Sequence, residues 1–197
     1  MKEKVLIGAG GSAKDIKAHM NTPLIKCFVD DKYLDSKQKN LFSITEFNPD
    51  TMKALITVSN PEDRKQIYNK MPLDTEYYTF IHPSAQILSN NCVIGIGSFI
   101  GANCIITTNV VLGNHSQVNF GSSIGHDCKI KNFFTLAPGA RLSGNCTINE
   151  CVHIGANASV REKLTICKNV TIGLQSGVVR DINQSGIYVG SPVKKIS

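Results

Sequence analysis

His126 and Asp127 stand side by side in SSIGHDCKI, and His is the side chain whose ordinary pKa lets it exchange a proton near neutral pH. Spacing alone leaves two readings open: a proton-transfer site, or an idle exposed histidine beside an aspartate. Near the N-terminus, Gly8, Gly10 and Ala13 satisfy G-x-G-x-x-A, with Gly11 and Ser12 inside the motif. Between a strand and a helix, such a turn lets backbone N–H groups approach a phosphate. Asp30 and Asp31 close the next apolar run, where a carboxylate accepts from a ribose or a base, or simply ends a strand in water. Arg64, further on, is either a phosphate partner or a surface charge.

The elements that must position these residues fall into two halves. Residues 1–81 alternate strand-like and helix-like runs: VLIGAG, a helix over 12–20, IKCFVDD, ALITVSN, a helix over PEDRKQIYNK, and YYTFIHP. Such alternation predicts a small Rossmann-like parallel sheet with helices on its faces. NAD is the usual occupant of the glycine motif, but this half supplies only one mononucleotide-sized unit where a dinucleotide needs two. A nucleotide sugar fits better. From 82 to 197 helical periodicity vanishes. Sixteen aliphatic residues recur at every sixth position, from Leu88 through Ile94, Ile100, Ile106 and onward to Val178. Three such hexads close one turn of a parallel β-helix, each burying one aliphatic side chain inward. The position three after each aliphatic is Asn, Gly or Asp in eleven of sixteen repeats, as a left-handed corner conformation favours. The uninterrupted count predicts just over five turns, a left-handed prism roughly 25 Å tall.

Composition narrows the partners. A net charge of +6 suits a ligand that carries phosphate, but the basic residues are scattered, which argues against nucleic acid. Aromatic residues are 7% and Trp is absent, leaving few stacking platforms for single strands. No run approaches a membrane span and no secretory segment opens the chain, so a cytoplasmic protein is expected. Four of the seven cysteines, Cys92, Cys104, Cys128 and Cys146, share one repeat position that elsewhere holds small residues. Cys27, Cys151 and Cys167 have no partner that spacing suggests, so neither a zinc site nor a disulfide framework is expected. His115, His126 and His153 occupy three different repeat positions, which also disfavours a three-histidine metal centre.

The hexads, the GAGG turn and the tail GIYVGSPVKKI together resemble the bacterial sugar O- and N-acetyltransferases of the sialic-acid and bacillosamine pathways. These join a nucleotide-sugar-binding N-terminal domain to a left-handed β-helix. The resemblance covers nearly the whole chain and implies an acetyl-CoA-dependent N-acetyltransferase. Its acceptor would be the 4-amino group of a 4-amino-4,6-dideoxy sugar linked to UDP, with dTDP the alternative, and the enzyme a homotrimer without metal. It further implies that His126 is the general base and that Asp127 orients its imidazole; the repeat spacing, not the resemblance, puts Gly144 one turn beyond His126, where a backbone N–H would hold the oxyanion. Acetyl-CoA would contact Thr135, Ala156 and Leu174 between adjacent prisms. Gly10, Gly11, Ser12, Asp30, Asp31 and Ser59 would contact the nucleotide sugar. The lysines of the GSPVKK tail would meet CoA phosphates or remain solvated. Two departures stand out: this chain reads GAGGSAK where relatives have GxGGHxK, and FFTLAPGA where many have FxHxAPGA. The rival readings are a sialic acid O-acetyltransferase using the same base and cosubstrate, and a catalytically silent β-helix scaffold.

Overall fold

A computed structural model describes residues 1–35 and 37–197. The N-terminal half is a five-stranded parallel sheet in the order β3-β2-β1-β4-β5. Its strands are β1 (Glu3–Ile7), β2 (Cys27–Val29), β3 (Leu41–Ser43), β4 (Met52–Ile56) and β5 (Glu76–Tyr77). Both faces of this sheet are covered, as parallel sheets require. Leu6, Cys27 and Leu55 pack against Ile16 of helix α1 (Gly11–Met20). Val5, Ile7 and Ile56 face the opposite cluster, which includes Ile67 of helix α2 (Pro61–Lys70). The sequence runs predict β1, β2 and β4; the run YYTFIHP meets β5 only at Tyr77 and gives its Phe80–Ile81 pair to the second half instead, and β3 is too short and irregular in pattern to announce itself.

The two helices start differently. The Asn60 side chain accepts hydrogen bonds from the N–H groups of Glu62 and Asp63 at 2.9 and 3.1 Å, and Pro61 opens the first turn of α2. This N-cap is complete. Gly10, by contrast, offers α1 no side-chain cap, so the first N–H groups of that helix remain available to a ligand.

Residues from Phe80 onward wind into a left-handed parallel β-helix with three flat faces. The first face stacks the pairs Gln86–Ile87, Ile105–Ile106, Ser123–Ile124, Arg141–Leu142, Ser159–Val160 and Gly177–Val178. The second stacks Val93–Ile94, Val111–Leu112, Lys129–Ile130, Thr147–Ile148 and Thr165–Ile166. The third begins with β6 (Phe80–Ile81) and continues through Phe99–Ile100, Gln117–Val118, Thr135–Leu136, Val152–Ile154, Val170–Ile172 and Gly186–Val189. Lys194–Lys195 folds back antiparallel to close that face.

The corners explain the Asn and Gly bias. Every sixth residue from 97 to 175 has a positive φ, between 53° and 71°. The inward aliphatics from Ile100 to Val178 are at most 3% exposed, each worth roughly 1.5–3 kcal/mol of burial. The first hexad differs from expectation. Ile87, not Leu88, pairs with Ile106 and faces the interior, and Leu88 is 57% exposed. One additional residue in the corner between Ile87 and Val93 absorbs the difference, so the six-residue period holds without interruption only from Ile94.

Candidate functional site

The corner of residues 125–128 carries His126 and Asp127 on the edge between the first and second faces. Asp127 occupies the left-handed corner position, at φ 59°, which turns its carboxylate back beside the preceding ring. The His126 Nδ1–H donates to Asp127 Oδ2 at 2.7 Å. The second carboxylate oxygen accepts from Asn109 Nδ2 at 3.0 Å. Asn109 was not anticipated, although it lies one full turn before Asp127 at the same corner position. His126 first, and Asn109 after it, hold the Asp127 carboxyl below the usual carboxylate range. Because the carboxylate accepts at Nδ1, the proton resides there and the Nε2 lone pair is left free.

That free nitrogen faces Gly144, one turn further along the same edge. A Cβ at position 144 would stand 2.6 Å from His126 Nε2, so only glycine lets the ring lie where it does. Among the described residues nothing accepts from the Gly144 N–H. The His126 side chain is 57% exposed. The result is an exposed proton acceptor lying against a buried glycine whose N–H has no acceptor among the described residues, and a base and a backbone donor are the two elements that acyl transfer uses.

Ala156 and Leu174 lie elsewhere, stacked one turn apart on the edge between the third and first faces, with Leu174 70% exposed. Within one chain the first face separates them from His126 and Gly144.

Thr135 requires a correction. It points out of the third face but is only 1% exposed, because the N-terminal half covers it. Its Oγ1 donates to the Ser59 carbonyl at 2.8 Å and accepts from Arg64 Nη2 at 3.0 Å. A side chain buried in this way, with its one donor already used, is closed off from a cosubstrate. Arg64 is neither surface charge nor phosphate partner: it is 0% exposed and donates to four backbone carbonyls as well as to Thr135. Burial lowers its pKa to about 9, which still leaves a cation at neutral pH.

The second concentration of predicted residues surrounds a cavity of about 480 Å³ in the N-terminal half. Gly10, Gly11 and Ser12 line it from the start of α1, Asp30 from the end of β2, and Ser59 from the loop after β4. Tyr33 and Gln38, unremarked in the sequence, complete the wall. The cavity opens between β1 and β4, where the connection from β1 runs to β2 on one side of the sheet and that from β4 runs to β5 on the other, the switch point at which open α/β sheets bind ligands. Asp31 is not part of it. Its carboxylate accepts from the Ser43 hydroxyl and so ties the residues after β2 to the end of β3.

The other candidate chemistry is structural. His115 is buried and held down to about 4, by burial first and then by the charge of Arg64. His153 is lowered for the same two reasons in the same order. Among the described residues no three His, Cys, Asp or Glu side chains gather around a common point. Cys104, Cys128 and Cys146 are buried in the prism interior as free thiols. Among the described residues no helix is long and apolar enough to cross a membrane.

No protein-family model matches the chain. GDP-perosamine N-acetyltransferase of Escherichia coli O157:H7 is 26% identical over 172 residues, covering 80% of this chain and 77% of that protein. A mutant of perosamine N-acetyltransferase from Caulobacter crescentus, solved with CoA and GDP-perosamine, superposes with a TM-score of 0.88 at 21% identity. That match covers 100% of this chain and 98% of the other. The acetyltransferase domain of PglB from Neisseria gonorrhoeae, solved with acetyl coenzyme A, matches with a TM-score of 0.78 at 25% identity over 99% of each chain. From its first strand to its last, the chain therefore has the two-part fold of the hexapeptide-repeat, left-handed β-helix sugar acetyltransferases.

Proposed function

We propose that this protein transfers the acetyl group of acetyl-CoA to the 4-amino group of a nucleotide-linked 4-amino-4,6-dideoxy sugar, with GDP as the first nucleotide to test. The observation that carries this reading is the His126–Asp127 pair, whose hydrogen bond leaves Nε2 as a base against Gly144, a residue whose N–H has no acceptor among the described residues. The cavity beside the uncapped start of α1 supplies the place for a nucleoside diphosphate. The named activity of two of the similar proteins, N-acetylation of perosamine linked to GDP, supports the choice of acceptor.

In this mechanism the neutral sugar amine attacks the thioester carbonyl, and a C–N bond forms as His126 Nε2 takes the amine proton. Asp127 holds the imidazole in the required tautomer and balances the imidazolium charge. The Gly144 N–H donates to the carbonyl oxygen as negative charge develops there. The C–S bond then breaks, and the imidazolium returns its proton to the departing sulfur. The products are the acetamido sugar and CoA thiol, with no acyl-enzyme. The buried thiols of Cys104, Cys128 and Cys146 take no part.

A trimer completes the site. His126 and Gly144 occupy one edge of the first face, and Ala156 and Leu174 the other. Three prisms packed in parallel around their first faces set one protomer's His126 edge against its neighbour's Ala156–Leu174 edge, forming a groove for acetyl-CoA. Sedimentation should give three chains per particle, and an active monomer would refute this arrangement.

The direct test is thiol release from acetyl-CoA with GDP-, UDP- and dTDP-linked 4-amino sugars, and with free sialic acid alongside. Turnover confined to the nucleotide-linked amines is expected. Turnover with sialic acid alone would replace this reading with O-acetylation. Absence of thiol release with every acceptor, with binding intact, would make the prism a scaffold.

A further inference from the structure

We infer that Arg64 is a positioning residue for the nucleotide cavity, turning the 58–60 loop so that its N–H groups, rather than its carbonyls, face a nucleoside diphosphate. The inference rests on the reading that this cavity takes such a group. Val58 and Ser59 line the cavity, and each carries a carbonyl oxygen that would repel a phosphate if it turned inward. Neither is free to do so. The Val58 oxygen accepts from Arg64 Nη1 at 2.7 Å and from Gln117 Nε2 at 3.2 Å. The Ser59 oxygen accepts from Arg64 Nη1 at 3.0 Å and from Thr135 Oγ1 at 2.8 Å. Each oxygen thus has two donors, one for each lone pair.

A trans peptide directs its N–H opposite to its carbonyl. With the carbonyls of Val58 and Ser59 fastened toward the prism, the N–H groups of Ser59 and Asn60 are directed away from it, on the cavity side of the loop. Among the described residues nothing accepts from either of them. Ser59 lines the same cavity as Gly10, Gly11 and Ser12 of the uncapped start of α1, so its N–H and those of the helix start can serve one anion.

The remaining Arg64 bonds, Nε to the His115 carbonyl at 2.8 Å and Nη2 to the Phe134 carbonyl at 3.0 Å, anchor the guanidinium to two successive turns of the prism. Five donors in a rigid planar fork match this set of acceptors, and a lysine ammonium cannot reproduce it. The side chain has no carboxylate partner among its hydrogen bonds, so its charge remains uncompensated behind the loop.

The experiment compares Thr135→Val, Gln117→Leu, Arg64→Lys and Arg64→Met in the full-length protein. For each variant, Tm, the affinity for GDP and UDP by calorimetric titration, and KM for nucleotide sugar and acetyl-CoA are measured. Thr135→Val and Gln117→Leu each remove a loop donor and keep the arginine. They should fold and weaken nucleotide binding by roughly 2- to 10-fold, one hydrogen bond's worth. Arg64→Lys keeps the charge and loses the fork, and should weaken binding further. Where Arg64→Met folds, it should be weakest of all. KM for the nucleotide sugar should rise in parallel, with KM for acetyl-CoA unchanged. Folded Thr135→Val and Gln117→Leu proteins with wild-type nucleotide affinity would overturn the inference, and so would an equal rise in KM for acetyl-CoA. Wild-type protein that binds neither nucleotide would overturn it together with the proposed acceptor. Wild-type protein that binds nucleotide but transfers no acetyl group would refute the proposed reaction alone, and the titrations would still decide the role of Arg64.

Discussion

The Gly144→Ala substitution tests the catalytic reading with a single methyl group. The new Cβ would lie 2.6 Å from His126 Nε2, 2.8 Å from Cε1 and 2.9 Å from Cδ2. Carbon and nitrogen rest at about 3.5 Å or more, so the two groups must separate by roughly 1 Å. The imidazole is the part that moves, because its side chain is more than half exposed while the prism backbone is locked by hydrogen bonds on both sides. Position 144 lies outside the left-handed region, so alanine fits the backbone and should stabilise slightly, by about 0.4–1 kcal/mol through the unfolded chain. A 1 Å displacement of a reacting group costs on the order of 100-fold in rate, or about 2.7 kcal/mol of barrier. The assay is steady-state thiol release, with Tm and sedimentation confirming an intact fold and assembly. We expect kcat to fall by about two orders of magnitude, with nucleotide binding unchanged. A folded, correctly assembled variant with wild-type kcat would mean that the ring does not work from its place over Gly144, and the proposed proton transfer would fail with it.

Replacing His126 by alanine removes the base itself and should lower turnover by about two to four orders of magnitude at unchanged Tm; near-normal turnover would eliminate the mechanism. Stability should also depend on His115. Its folded-state pKa is about 4, below the ordinary value of 6.5, so between these pH values the unfolded chain binds the extra proton. The stabilisation is therefore complete above pH 6.5 and falls by about 1.4 kcal/mol per unit as the pH drops toward 4. His115→Asn, which tolerates the φ of 54° at that corner, should flatten this slope in denaturant melts at stepped pH, and an unchanged slope would exclude His115 as its source. Lys163 holds a φ of 63°, a conformation costly for a residue with an ordinary side chain. Lys163→Gly should raise Tm by about 1–4 °C after glycine's own entropy loss is counted, whereas a lower Tm would show that the lysine side chain contributes more than its backbone strain removes.

The prism was legible because one physical requirement, an apolar side chain turned inward, recurs at a fixed step. The period even accounts for corners occupied by Phe133, Cys151 or Gln175, which no residue preference would nominate and which adopt the same positive φ as their Asn and Gly counterparts. It failed at Leu88 for a definite reason. Ile87 and Leu88 are both aliphatic, so the pattern accepts a slip of one residue, and hydropathy contains nothing that counts the residues in a corner. Asn109 was readable in principle, since it sits one turn below Asp127. The placement of Tyr33 and Gln38 around the cavity was not, because their loop has no period.

The harder failure was at the seam between the two halves. Repeat spacing says that Ile105, Val111, Lys129, Phe99, Gln117 and Thr135 all point out of a face; it does not say what each meets there. On the first two faces Ile105, Val111 and Lys129 are exposed, while on the third Phe99, Gln117 and Thr135 are at most 2% exposed. The difference comes from the N-terminal half, which seats α1 beside Phe99 and hangs the 56–59 loop on Gln117 and Thr135. Apolar contact alone would let two such halves slide, because burial is proportional to area and has no direction. Hydrogen bonds to individual acceptors do not permit sliding, since a shift of one residue takes three of the five Arg64 bonds, those to the His115 and Phe134 carbonyls and to Thr135 Oγ1, away from a buried guanidinium, at a cost of roughly 1–3 kcal/mol for each donor left unpaired. The polar seam therefore does what an apolar one cannot: it sets the angle at which a cavity in one half is presented to a prism whose reactive edge lies in the other.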